Sequence, residues 1–199
     1  MPLDRDVAAF GERAEGYEEG WLGRLHHEIA DRTTDLALAQ VPTPHRVLDV
    51  GCGTGYLLRR IAARAPGAAE LVGVDAAADM VRVAREATDD PRARFLEGTA
   101  EHLPGPDRVF DLVVSTTSFD HWADQQTGLR ECARVMAPGG RLVLADQFSP
   151  LYLPTLVGSR GGKARTRRRA TRLLTAAGFG SLEWHALYAV IIGAVTASR

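Results

Sequence analysis

Cysteine is scarce in this sequence, with only Cys52 and Cys132 among 199 residues. Neither has a second cysteine or a nearby histidine pair at ligand spacing, so no metal site is expected. Both thiols are expected to be reduced, as in a cytoplasmic protein. An excess of one charge is lacking too. The 24 basic and 25 acidic side chains leave a net charge of −1, which excludes a whole-chain attraction to nucleic acid or to an acidic membrane. Long apolar runs are missing. The longest, residues 189–197, is roughly half of what a membrane helix needs and reads as a strand. Asp4, Arg5 and Asp6 stand where a secretory signal would carry its apolar core, so the first residues do not read as one.

What is present is globular: 45% apolar and 25% charged residues, and no repeat or low-complexity tract. The length suits one domain. The expectation is a single unit, residues 1–199, made of an N-terminal helical cap (1–44) and an α/β core (45–199). In the cap, Leu22, Leu25, Ile29, Leu36 and Leu38 are spaced like one or two amphipathic helices, ended by Pro42 and Pro44. In the core, short aliphatic runs alternate with helical spacing. Strands are expected near residues 46–50, 71–74, 94–96, 110–115 and 141–145, with helices near 56–64, 79–87, 127–136 and 170–177. Pro138-Gly139-Gly140 reads as a turn between the third of these helices and the fifth strand. Such alternation argues for a parallel sheet covered on both faces. Two last strands, near 182–187 and 189–196, are close enough to pair as an antiparallel hairpin.

The most informative segment is VLDVGCGTGYLL, residues 47–58. A buried strand runs into Gly51-Cys52-Gly53-Thr54-Gly55 and a helix starts just after. Glycines allow a tight turn and close approach of a ligand to the backbone, and the new helix offers unpaired N–H groups. Some twenty residues on, Asp75 ends the second strand, where a carboxylate can accept both hydroxyls of a ribose. A dinucleotide fingerprint would want a third glycine where Tyr56 stands, and a P-loop would need Gly-Lys-Ser/Thr. Neither is met.

The segment instead resembles motif I of the class I S-adenosylmethionine-dependent methyltransferases. Further segments resemble the same family in the same order: LVGVD (71–75) with Met80, FLEGTAEHLP (95–104), FDLVVS (110–115), RVMAPGGRLVLAD (134–146) and LLTAAGF (173–179). Within the family the chain is most similar to the methyltransferase type 11 group. The resemblance implies a Rossmann-like, doubly wound seven-stranded mixed sheet, strand order 3-2-1-4-5-7-6, with the last strand antiparallel. It implies S-adenosyl-L-methionine as cofactor and S-adenosyl-L-homocysteine as product.

Carried over residue by residue, the methionine end of the cofactor falls to Asp49, Gly51, Cys52 and Gly53, with Tyr56 close by. Gly55 equally reads as a strand–helix packing position. Asp75 takes the ribose, while Ala76 and Met80 border the adenine. Thr99 departs from the acidic residue that many relatives carry on the adenine side; Ala100 and Glu101 would supply backbone contacts there. Ser115 and Thr116 would lie beneath the methionine. Tyr17, and with it Trp21, would close the cap over the cofactor, where a ring face tolerates a sulfonium. Asp120 and His121 sit where relatives often carry His-His, and are the candidates to take a proton from an acceptor. His26 and His27 are neighbours, which one helical face is not expected to present together, so they are not read as a metal site.

These residues point to methyl transfer, by in-line displacement, onto a small-molecule acceptor. The pocket for it is expected between the cap and the loop following Asp146. Ser115-Thr116-Thr117-Ser118 lacks the Asn/Asp-Pro-Pro-aromatic pattern of enzymes acting on DNA bases, and no separate RNA-binding domain is expected from these residues. The basic run at residues 158–172 has seven basic side chains and no acid. It reads as a solvated segment, since the aromatics that single-strand binding favours are missing. A non-catalytic cofactor-binding protein would carry the same glycine loop, and stays open as an alternative.

Overall fold

Aliphatic runs closed by glycine or a carboxylate become the strands of one seven-stranded sheet. The structure is a computed structural model that describes residues 3–148, 166–189 and 192–199, with side chains from residue 7 onward. Most of the loop following Asp146, with Arg160, Lys163 and Arg165, lies outside the described residues. The elements in chain order are α1 (Leu3–Gly11), α2 (Gly20–Gln40), β1 (Arg46–Val50), α3 (Tyr56–Arg64), β2 (Glu70–Asp75), α4 (Ala78–Glu86), β3 (Ala93–Glu97) and β4 (Phe110–Thr116). Then follow α5 (Gln125–Val135), β5 (Met136–Asp146), α6 (Arg167–Ala176), β6 (Gly180–Tyr188) and β7 (Ile192–Ser198). Single 3₁₀ turns occupy Ala14–Gly16 and Phe119–His121.

The strand order is β3-β2-β1-β4-β5-β7-β6. The first five strands are parallel, and β7 runs antiparallel to both β5 and β6, as the family resemblance implies. Alternate residues serve opposite faces. Leu48, Val72, Val113 and Leu142 face α5 and α6 through Leu129 and Leu174. Val47, Leu71, Leu112 and Val143 face α2, α3 and α4 through Ala37, Ile61 and Val81. Burial on both sides is what makes these strands read as continuous aliphatic runs.

Pro138-Gly139-Gly140 is not a connection between α5 and β5. Pairing with β4 begins at Phe110↔Met136, shifts, and resumes at Leu112↔Arg141. Residues 137–140 therefore stand opposite Asp111 alone, as a bulge inside β5 with Gly139 at φ +78°. The ladder closes again because Gly140 has no Cβ; one would stand 2.9 Å from the Ala137 carbonyl and 3.0 Å from that of Phe110.

The leucine-spaced segment before Pro42 is a single 21-residue helix, α2. It packs on α3 and crosses the sheet toward β4, β5 and β6. Thr33 and Thr34 sit buried within it and return their hydroxyls to the Ile29 and Ala30 carbonyls. Most of α2 thus belongs to a helical layer. Only its first turns, the segment before them and α1 reach the carboxyl ends of the strands. Val7 and Phe10 of α1 pack there against Met80 of α4 and Ala77 just before it. No helix among the described residues is long and apolar enough to cross a membrane.

Candidate functional site

The loops leaving β1, β2, β3 and β4 converge on a cleft of about 820 Å³, open to solvent. A smaller cavity of about 490 Å³ adjoins it and shares Tyr17, Gly51, Gly53, Thr116 and Thr117. The glycine turn separates the two. It is held by the amides of Gly51 and Cys52, which both donate to the Val74 carbonyl at 2.8 and 3.0 Å.

The glycines have different tasks. A Cβ on Gly55 would stand 2.7 and 2.8 Å from the Phe95 ring, so Gly55 permits strand–helix packing. A Cβ on Gly51 would meet the Ser118 hydroxyl at 2.2 Å. Gly53 faces open space, and its amide donates to Asp75 Oδ2 at 2.8 Å. Asp75 Oδ1 accepts from Ala77 N–H at 2.9 Å. Burial pushes the Asp75 carboxyl up, against the pull of the Ala77, Gly53 and Ala76 amides and of His121. Each carboxylate oxygen has a second lone pair left for a ligand in the larger cleft.

Asp49 sits across the turn on the smaller cavity, 2% exposed. Burial, and then the Asp75 charge, raise it to about 8. Its Oδ1 has no hydrogen-bond partner among the described residues. Thr116 Oγ1 is buried and likewise unpartnered. Cys52 lines the same cavity, and burial pushes its thiol well up, so it stays protonated. Tyr56 is on that wall too, stacked 3.8 Å from His27 at 8°.

Tyr17 reaches both cavities. Burial, and then the Asp75 charge, push its phenol to about 12; its ring stacks on His26 at 4.9 Å. Ala76, Met80, Thr99, Ala100 and Glu101 all line the larger cleft. Met80 is at once a buried core residue and part of the wall. The Thr99 turn is closed by His102 N–H on the Thr99 carbonyl at 3.1 Å. Glu101 Oε1 accepts from Asp124 N–H at 2.8 Å, fixing that turn to the start of α5. His121 is at the mouth, edge-on to Phe10 with centroids 4.9 Å apart.

Four expectations are corrected or narrowed. Trp21 is 63% exposed and covers nothing; the rings that reach the cleft from this segment are Phe10 and Tyr17. Ser115 is fully buried behind the wall, its hydroxyl 2.9 Å from that of Ser118. Asp120 does not line the cleft; its amide donates to Asp146 Oδ2 at 3.1 Å and holds the turn that carries His121. His26 and His27, by contrast, both line the smaller cavity. Tyr17 and Tyr56 approach α2 from two sides, and each histidine takes one ring.

Sequence reasoning missed Ser118 and Glu18. Ser118 Oγ donates to the Val50 carbonyl at 2.9 Å and accepts from Trp122 Nε1 at 3.3 Å, joining β1 to the loop after β4. It closes the hydroxyl run already noted after the fourth strand, which was its only signal. Glu18 accepts from the Thr54 hydroxyl at 2.6 Å and from Arg59 at 2.7 Å, and meets His27 Nε2 at 3.1 Å. Nothing in its sequence neighbourhood marks it.

Comparison with known proteins fits this geometry. Residues 47–140 match the methyltransferase domain family. The chain is 44% identical over 148 residues to demethylmenaquinone methyltransferase of Thermus thermophilus, across 71% of this chain and 64% of that one. It is 36% identical over 189 residues to malonyl-(acyl-carrier protein) O-methyltransferase of Geobacter sulfurreducens, across 88% of this chain and 70% of that one. The match thus spans just under two thirds of the Thermus protein. Among solved structures, the methyltransferase partner of a Haloferax volcanii methyltransferase activator superposes with a TM-score of 0.77 at 23% identity. That superposition covers 96% of this chain and 94% of that one, and at this identity the likeness is one of fold. With the Geobacter relative matched over most of both chains, this chain belongs to the class I S-adenosylmethionine-dependent methyltransferases.

Proposed function

We propose that the chain transfers a methyl group from S-adenosylmethionine to a small-molecule acceptor. The observation that carries this reading is the pairing of two chemistries across one glycine turn. On one side is a carboxylate, Asp75, with lone pairs to spare in a cleft large enough for a nucleoside. On the other is a buried acid, Asp49, whose Oδ1 has no partner among the described residues and would accept from an ammonium. A ligand with a ribose at one end and an ammonium at the other satisfies both.

In this reading Asp75 accepts the ribose hydroxyls, and Ala76 and Met80 border the base. The Thr99 hydroxyl and the Ala100 and Glu101 backbone meet its polar edge. Asp49 takes the ammonium, with Gly51, Cys52, Gly53, Tyr56 and Thr116 shaping that end. Tyr17 and Phe10 exclude water from above. When bound, the cofactor supplies an activated methyl group on a sulfonium, with a neutral thioether to leave. The chain's own task is to orient the acceptor and keep the site dry. His121, at the cleft wall, is the group placed to hold a proton from a hydroxyl or acid acceptor. Two of the relatives are named for demethylmenaquinone and malonyl-(acyl-carrier protein), which supports an acceptor that enters as a small group.

Calorimetry with S-adenosylmethionine, S-adenosylhomocysteine and NAD tests the reading. Saturable binding of the two adenosyl ligands and none of NAD is expected, with label transferred from methyl-labelled cofactor to a member of a small-acceptor panel. Binding of NAD alone would overturn it.

A further inference from the structure

Among the described residues, the smaller cavity has two acids on its walls, Glu18 and Asp49, and its basic side chains are His26 and His27. Glu18 is committed to Thr54, Arg59 and His27. His27 is committed in turn, between Glu18 and the Tyr56 ring. Three buried atoms on these walls stand out: His26 Nδ1, Asp49 Oδ1 and Thr116 Oγ1. Each is buried, each lies on a cavity-lining residue, and each lacks a hydrogen-bond partner among the described residues. Buried polar atoms are normally paired, and orphans of this kind point to an absent partner. One acid, one imidazole and one hydroxyl on a common cavity match an α-amino acid. The acid suits the ammonium, which leaves the imidazole and the hydroxyl for the carboxylate.

We infer that His26, assisted by the Thr116 hydroxyl, reads the α-carboxylate at the amino-acid end of the adenosyl cofactor. Among the described residues no lysine or arginine lines this cavity, so of these the task falls to a group that donates without a fixed charge. Burial, and then the neighbouring His27, lower the pKa of the His26 imidazole. The ring is therefore neutral before the ligand arrives, with one N–H to give. Its stack on Tyr17 holds it against the cavity. This assignment rests on the cofactor reading above.

The test compares two ligands that share adenosine and a thioether, S-adenosylhomocysteine and 5′-methylthioadenosine, of which only the first carries the amino acid. His26→Phe keeps a ring on Tyr17 and removes the donor; His26→Asn restores an amide N–H near the Nδ1 position. His26→Phe is expected to weaken S-adenosylhomocysteine by about tenfold, the worth of one hydrogen bond to a charged group. It should leave methylthioadenosine within about twofold, and His26→Asn should recover part of the loss. If both ligands weaken alike in His26→Phe, or S-adenosylhomocysteine does not weaken at all, His26 only packs and the inference falls. If the unmodified protein binds methylthioadenosine but not S-adenosylhomocysteine more tightly, no carboxylate is read here. If it binds neither, the cofactor reading itself fails first.

Discussion

The Glu18 carboxylate accepts the Thr54 hydroxyl at 2.6 Å, and so ties the residues ahead of α2 to the turn that follows β1. Burial raises the Glu18 carboxyl, but the bonds from Thr54 and Arg59 and the charges of Arg59 and His27 outweigh it, and the net shift is downward. A lowered carboxyl contributes stability above its unfolded pKa and loses it as pH falls through the native one. Glu18→Gln should therefore be less stable than the parent at pH 7 and converge with it in acid. Urea unfolding across this range reads the difference. In the same variant, hydrogen exchange over residues 7–19 should rise at neutral pH; unchanged exchange would show that the clasp is idle.

Asp49 carries the opposite sign. Its native pKa of about 8 stands far above the usual carboxylate range. Its contribution is thus greatest below the unfolded pKa and is lost as pH rises through the native one, at up to about 1.4 kcal/mol per pH unit. Asp49→Asn should flatten the stability profile between about pH 4 and 8 and raise stability at the upper end. It should also weaken S-adenosylhomocysteine, since an amide, unlike the acid, has no proton to give up to become a charged partner when the ammonium arrives. A variant that gains stability and keeps full affinity would remove Asp49 from the site.

Asp75→Ala should weaken the same ligand at least about tenfold, because charge-assisted bonds to two ribose hydroxyls are lost. Unlike a purely ligand-facing change, it also leaves the Gly53 and Ala77 amides without their acceptor. A lower Tm without ligand is therefore expected together with the affinity loss. Asp75→Asn, which keeps one acceptor oxygen, should fall between. Calorimetry and thermal unfolding on the three proteins give both readouts.

Gly53→Ala and Gly55→Ala separate ligand space from packing. Both positions have positive φ, 52° and 79°, so both variants bear a backbone cost of about 1 kcal/mol. Only at Gly55 does the new methyl strike the Phe95 ring, which adds about 1–3 kcal/mol of overpacking. Gly55→Ala should be the less stable in urea, and Gly53→Ala the weaker binder among proteins that fold.

The strands, the glycine turn and the position of Asp75 were legible because each has a local cause, whereas the order of the strands in the sheet came only with the family resemblance. Aliphatic runs mark strands buried on both faces, and the Gly-x-Gly-x-Gly spacing marks a turn that backbone must approach. The contacts of the N-terminal segment were not legible. Glu18 is one acid on a polar stretch, and its partners Thr54 and Arg59 lie far along the chain. Trp21 and Tyr17 look alike in sequence, yet the turn before α2 sends one ring outward and the other into the cleft. That both histidines would line one cavity was not legible, because adjacency on one helix says nothing of rings arriving from two other elements. Pro138-Gly139-Gly140 carries turn chemistry, and only the register with Phe110 shows that the turn lies within a strand.

β7 is the last strand in sequence but an inner strand of the sheet, with β5 on one side and β6 on the other. During synthesis, β5 emerges from the ribosome with its outer edge bare and waits for residues 192–198 before that edge is covered. Residues 142–145 on that edge are wholly buried in the finished protein. Until β7 arrives they present an unpaired aliphatic strand, the kind of surface that seeds association between nascent chains. The final assembly of the sheet is therefore a late event in the life of each molecule, and changes in β7 should be felt first as lost soluble yield.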